Sequence, residues 1–176
     1  MMRTLYGASP ADIAGMDTDR LRAEFLVDGL FRPGAIEFVY THIDRMIVGG
    51  AVPLANPLTF GNGAEVGTPL FFDAREMGIA NLGGNGAVAV DGRRFPAANR
   101  DIVYVGRGAR EVTLASDDPE RPARFYMNSV PAGADIAHRL IISSEAKPLV
   151  LGETLVRTGA RCACTSIPKW PRPASC

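Results

Sequence analysis

The stretch from Glu76 to Ser116 most constrains the fold. It contains Glu76-Met-Gly-Ile-Ala-Asn-Leu82, then Gly83-Gly84-Asn85-Gly86, then Ala-Val-Ala-Val90 before Asp91-Gly92. Asp101-Ile-Val-Tyr-Val105 and Glu111-Val-Thr-Leu-Ala-Ser116 follow. These four apolar runs are too short for helices and rich in Val, Ile and Tyr, which marks strands. Asp-Gly is a strong hairpin signal, because a type I′ turn needs positive φ at both central residues. Short strands at close intervals predict an antiparallel sandwich or jelly-roll barrel. The glycine cluster at 83–86 lacks the Lys-Ser/Thr of a phosphate loop and has no helix after it, so it predicts a hairpin or bulge.

The flanks extend this pattern. Ser9-Pro10-Ala11-Asp12 has the cap, the first-turn proline and the acid of a helix start. Asp17-Thr18-Asp19 starts a second short helix, in which Leu21 and Phe25 share a face. Strands are predicted at 36–42, at 45–48 (ended by Gly49-Gly50), at 58–60 and 70–72, at 124–128, at 137–142 and at 148–151. Pro131 is expected to start a loop. The total is about ten strands with no long helix.

The 176 residues suffice for one domain with a substantial core. Basic and acidic residues balance at 19 each, which argues against a nucleic-acid partner or a polybasic membrane surface. No apolar run reaches the roughly 18–20 residues of a membrane span, and Ser9, Pro10 and Asp12 interrupt any signal segment, so a cytoplasmic protein is expected.

Residues with catalytic potential are sparse. His42 and His138 stand in no H-x-H or H-x-x-x-H pattern and do not read as metal ligands. His42 is expected to pair with Asp44 or to be a packed histidine. Arg107, Arg110, Arg121 and Arg124 are candidates for a carboxylated ligand, or else belong to a solvated face or an oligomer contact. Cys162-Ala163-Cys164, followed only by Cys176, is a poor zinc or redox motif. The residues alone give a β-rich domain without a visible active site.

Several strings in order carry a family resemblance: Leu21-Arg-Ala-Glu-Phe-Leu-Val27, Val39-Tyr-Thr-His-Ile-Asp-Arg-Met-Ile-Val-Gly-Gly50, Arg75-Glu-Met-Gly-Ile-Ala-Asn-Leu-Gly-Gly84, Val90-Asp-Gly92, Arg100-Asp-Ile-Val-Tyr-Val-Gly106 and Val112-Thr-Leu-Ala-Ser116. From about Leu21 to Leu155 the chain resembles the N-terminal half of the 4-deoxy-L-threo-5-hexosulose-uronate ketol-isomerases (5-keto-4-deoxyuronate isomerases). The resemblance implies an all-β, cupin-like antiparallel barrel or jelly roll over 1–155, with a short N-terminal helical segment. It also implies an intramolecular oxidoreductase of pectin and uronate breakdown. Such an enzyme takes 5-dehydro-4-deoxy-D-glucuronate to 3-deoxy-D-glycero-2,5-hexodiulosonate, by proton transfer through an enediol. In that family a zinc ion sits on three His and one Glu of the C-terminal half, and the enzyme is a homo-oligomer, a hexamer. Here the metal-binding half is absent, no metal is expected in this chain, and no catalytic residue is assigned. Gly106-Arg107-Gly108-Ala109-Arg110-Glu111 stands where a metal cupin carries Pro-x-Gly-x-x-His. The implied roles of this half are barrel pairing, oligomer contacts and substrate entry. The alternative is a non-catalytic assembly or ligand-binding module.

The resemblance stops at Leu155. All three cysteines, Trp170 and three closely spaced prolines follow. Back-translating Val156–Cys176 and reading from the third codon position permits Ser-Asn-Arg-Arg-Thr and then Tyr-Ile-His-Pro, strings similar to the family's continuation. The expectation is a frameshifted, poorly ordered tail over 156–176, because nothing selected its pattern to pack. The chain would then be a truncated enzyme, inactive alone.

Overall fold

The computed structural model describes residues 2–151 and 160–164. In chain order the elements are β1 (Arg3–Leu5), α1 (Pro10–Ile13), α2 (Thr18–Phe25), β2 (Ile36–Thr41), β3 (Ile47–Ala51) and β4 (Leu58–Thr59). A 3₁₀ turn at Ala64–Val66 precedes β5 (Arg75–Asn81), β6 (Gly86–Val90), β7 (Arg93–Ala97), β8 (Ile102–Val105) and β9 (Val112–Ser116). β10 (Phe125–Pro131), β11 (Arg139–Ile141), a 3₁₀ turn at Ser143–Glu145, β12 (Lys147–Leu151) and β13 (Ala160–Cys164) complete them.

A seven-stranded sheet has the order β1-β2-β3-β10-β5-β8-β11, and a four-stranded sheet has the order β4-β9-β6-β7. Every pairing is antiparallel except β1 on β2. Period-2 alternation turns one face of each sheet inward. On β5 the residues Arg75, Met77, Ile79 and Asn81 are buried, while the residues between them are half-buried. Ile47, Met77, Ile79, Val103, Val105, Phe125 and Met127 of the large sheet meet Val88, Val90, Phe95, Val112 and Leu114 of the small one in a single core. This is the all-β jelly-roll architecture the sequence predicts.

Both short helices start where expected. Ser9 and Asp12 form a reciprocal capping box around Pro10, and the Asp17 side chain accepts from the Arg20 amide. At Asp91-Gly92 φ is 48° and 80°, the left-handed pair that the β6–β7 hairpin needs.

The structure corrects several boundaries. The runs between Glu76 and Ser116 do not form one meander: β5 and β8 lie in the large sheet, β6 and β9 in the small one. The glycine cluster at 83–86 is therefore a corner between sheets, not a hairpin. A Cβ on Gly84 would lie 1.9 Å from the Arg121 carbonyl oxygen, so only glycine lets the 121–124 backbone cross there. β7 arises from Arg93–Ala97, whose Pro96 hides it; β7 is the edge of its sheet, where a missing amide is tolerated. Residues 70–72 make only a bridge from Leu70 to Asn62. Pro131 ends β10 instead of starting a loop.

Gly49 and Gly50 do not end β3 but lie inside it. A Cβ on Gly49 would sit 2.4 Å from Phe38 Cδ1, and one on Gly50 2.4 Å from the Leu30 carbonyl oxygen. The pair lets a ring and a backbone segment close on opposite faces of one strand. Gly50→Ala is expected to lower stability by about 1–3 kcal/mol through overpacking; an unchanged urea midpoint would contradict the contact.

β12 and β13 pair antiparallel, Lys147 opposite Cys164. The expected strand at 148–151 is thus present, and β13 was not foreseen. Within the 156–176 tail only β13 is described; Trp170 and Cys176 lie outside the described residues.

Candidate functional site

A slot of about 430 Å³ lies between the β1–β2 edge of the large sheet and the 3₁₀ turn at Ala64–Val66. Strand periodicity builds it. Tyr40 and His42 are two residues apart and share a face. Thr4 lies opposite Tyr40 in the parallel β1–β2 register, and the next residue on that face is Tyr6. The Tyr6 and His42 rings stack with centroids 4.6 Å apart and planes 14° apart. Tyr40 meets His42 edge-on at 5.2 Å. Across the slot the Glu65 carboxylate accepts from the Met2 amide at 2.8 Å. His42 is exposed, and its ring touches Tyr6 on its face and Tyr40 edge-on.

Arg75 lies at the same end of the barrel, on the inward face of β5. It is only 7% exposed. Its Nε donates to Ser129 Oγ (3.1 Å), and its Nη2 donates to the carbonyls of Arg45 (2.6 Å) and Ser129 (3.0 Å). No carboxylate pairs with it among the described residues. Burial pushes its pKa down, and the nearby Tyr40 phenol offsets part of that shift. Sequence reading passed over this residue, because a strand-initial arginine looks like an ordinary surface cation.

The four arginines singled out from the sequence are not brought together. Arg110 adjoins the Asp91 end of β6, where Asp91 Oδ1 accepts from the Arg110 and Glu111 amides at 2.9 Å. Arg121 and Arg124 adjoin Gly83 and Gly84, at the opposite end of β6. Five strand residues separate these ends, about 14 Å at roughly 3.4 Å per residue, so no single small carboxylate spans them. Arg107 is ion-paired with Asp135 and holds its carboxyl below the usual range. Arg121 pairs with Asp118 at 3.2 Å. Arg107 and Arg121 are locally paired, and Arg110, Arg121 and Arg124 are exposed.

The described residues do not fit a zinc site. His138 Nδ1 accepts from the Gly106 amide at 3.0 Å, which uses one ring nitrogen. It directly precedes β11, while His42 directly follows β2, and β3, β10, β5 and β8 lie between those two strands in the sheet order. Among the described residues no three His, Cys, Asp or Glu side chains gather as metal ligands. Cys162 and Cys164 lie on β13, and Cys176 lies outside the described residues.

No family model matches the chain. Individual relatives do. It is 43% identical over 151 residues to the 4-deoxy-L-threo-5-hexosulose-uronate ketol-isomerase of Halalkalibacterium halodurans, covering 86% of this chain and 55% of that protein. The enzymes of the same name from Dickeya dadantii (42% identity, 78% and 50% covered) and Lachnospira eligens (45%, 74% and 47%) agree. The chain is a homologue of the uronate ketol-isomerases. It spans about half the length of these curated relatives. Among solved structures, an IolB-like protein of Salmonella typhimurium aligns with 61% of this chain and 39% of its own at 15% identity, TM-score 0.46. A cupin protein of Bacteroides fragilis aligns with 52% and 69% at 15% identity, TM-score 0.37. This ketol-isomerase homologue packs its two sheets around one core. Among the described residues no helix is long and apolar enough to cross a membrane.

Proposed function

We propose that the chain is the N-terminal, cupin-like half of a cytoplasmic ketol-isomerase of pectin and uronate breakdown. The whole enzyme converts 5-dehydro-4-deoxy-D-glucuronate to 3-deoxy-D-glycero-2,5-hexodiulosonate. The observation that carries this is the similarity to proteins of that name over 74–86% of the chain. Isomerisation of this type moves a proton between neighbouring carbons through an enediol, and a metal ion can stabilise the developing negative charge. The donor set described above does not fit zinc, so we assign the metal and the proton transfer to a second half and leave this half without a catalytic step. Its roles are then assembly of a homo-oligomer, taken as a hexamer, and passage of substrate. The 156–176 tail is read as out-of-frame sequence replacing the start of that second half.

A second reading, a non-catalytic cupin-like binding or assembly module, is favoured by the same donor set. One assay separates the two. The chain alone, and a version extended in the restored frame to the length of its relatives, are given the uronate substrate. Isomerisation is expected only from the extended protein, and a chelator should abolish it there. Turnover by the chain alone would overturn the division of labour. An inactive extended protein would favour the binding module.

A further inference from the structure

We propose that the outer face of the large sheet, over β10, β5, β8 and β11, packs on the same face of a second copy of this chain. The two copies are related by a two-fold axis that runs along the strands between β5 and β8. This rests on the assembly role proposed above and adds the surface that performs it.

The first observation is what the outer face carries. Alternate residues of these strands fill the core, so those between them face away from it. The registers align the outward residues in two rows. Tyr126, Ala80, Ile102 and Ile141 stand side by side in one. Asn128, Gly78, Tyr104 and Arg139 form the next. Asn128 is exposed and the others are half-buried. A sheet face turned to water ordinarily carries polar residues. The first row has no charged residue and ends in two isoleucines. On neighbouring β3 the chain covers the outer face itself, with the Leu30 backbone against Gly50.

The second observation is that the face complements itself. A two-fold axis between β5 and β8 sets β5 over β8 of the second copy, and β10 over its β11. Bulky residues then meet small ones: Tyr104 covers Gly78 of the second copy, and Ile102 covers its Ala80. A Cβ on Gly78 would meet only Asn128 Oδ1, at 3.1 Å, so there is room above it. The same operation sets Arg139 against Asn128 of the second copy. Arg139 makes no hydrogen bond or ion pair among the described residues, and its Nε is buried without a partner. Its guanidinium lies only over the Tyr104 ring, 5.8 Å from the centroid. The nearby Glu76 carboxylate is taken by the Tyr104 hydroxyl at 2.8 Å. The Asn128 amide also makes no hydrogen bond among the described residues. The tip of the guanidinium can donate to Asn128 Oδ1 of the second copy, and the reciprocal pair forms across the axis. Contacts of residue i on j and j on i are those of an isologous interface.

Size sets the expected strength. Four strands about 4.8 Å apart and roughly 20 Å long give a face of about 400 Å² in projection, small beside the roughly 800 Å² that each partner of a standard interface buries. The dimer should therefore be reversible, with a Kd on the order of 10 µM.

The test is sedimentation velocity of the chain from about 1 to about 200 µM, where a monomer–dimer equilibrium is expected. Asn128→Asp sets a carboxylate against Arg139 of the second copy and should tighten the dimer several-fold. Asn128→Lys sets like charges together and should weaken it at least about tenfold. The chain has a formal net charge of zero, so opposite responses to these two changes cannot come from overall repulsion. Each variant is first checked for a cooperative thermal transition. Should Asn128→Lys not fold, Ala80→Glu carries the test, because it buries a carboxylate against Ile102 of the second copy and should also weaken the dimer at least about tenfold. A chain that stays monomeric throughout would overturn the face together with assembly by this half alone. An oligomer that ignores these variants, or answers both Asn128 changes alike, would overturn the face and leave the assembly role standing.

Discussion

Asn81→Leu is expected to cost about 4 kcal/mol or more of folding stability, since each buried group left without its partner costs about 1–3 kcal/mol. Asn81 is fully buried at the end of β5, and its amide is completely used. Nδ2 donates to the carbonyls of Gly84 (2.7 Å) and Ala97 (2.8 Å), and Oδ1 accepts from the amides of Gly83 (3.0 Å) and Arg124 (3.2 Å). One side chain thus links the corner between sheets, β7 of the small sheet, and the strand leading into β10. Leucine has similar volume and cannot serve any of the four. Equilibrium urea unfolding measures the loss. Amide hydrogen exchange locates it, because Gly83 and Arg124 should lose protection before the rest of β5. A loss under about 1 kcal/mol would mean that water or a shifted backbone replaces the network.

That corner also shows why sequence reading succeeded in some places and failed in others. The architecture was legible because its signals are local. Val-rich runs, Asp91-Gly92, Ser9-Pro10 and Asp17 each act within a few residues, and each produced the predicted strand, turn or cap. Sheet membership was not legible. Whether β5 and β6 pair or part depends on what crosses Gly83-Gly84, and the 121–124 backbone that does so is far away in sequence. The same holds for Gly49 and Gly50, which read as strand ends until Phe38 and Leu30 are placed over them.

The candidate site was legible only in fragments. His42 drew attention as a histidine, yet its use follows from Tyr6, which β1 brings alongside from the chain's start. Arg75 gave no signal, because a buried guanidinium and a solvated one have the same letter. The four arginines that did draw attention belong to two ends of the barrel.

Phe125→Ala is expected to cost about 3–5 kcal/mol, the range for emptying an aromatic site in a core. Phe125 is fully buried on β10, which pairs with β3 on one side and β5 on the other at the middle of the large sheet. Its ring reaches across to the small sheet: Cζ lies 3.2 Å from where a Cβ on Gly86 would stand. The ring fills space that Gly86 leaves, so its removal opens a cavity between the sheets instead of at the rim. A domain stable by about 5–15 kcal/mol would lose a large share of that margin. The cavity should not be refillable from the opposite side. A Cβ on Gly86 would also lie 2.4 Å from the Ala115 carbonyl oxygen and 2.8 Å from the Ala123 Cβ. Adding Gly86→Ala to Phe125→Ala should therefore lower stability further, while Phe125→Leu alone should recover part of the loss. Urea midpoints at constant m-value decide the matter. Rescue by Gly86→Ala would show that the ring, and not the Ala115 carbonyl and the Ala123 methyl, sets the spacing of the two sheets.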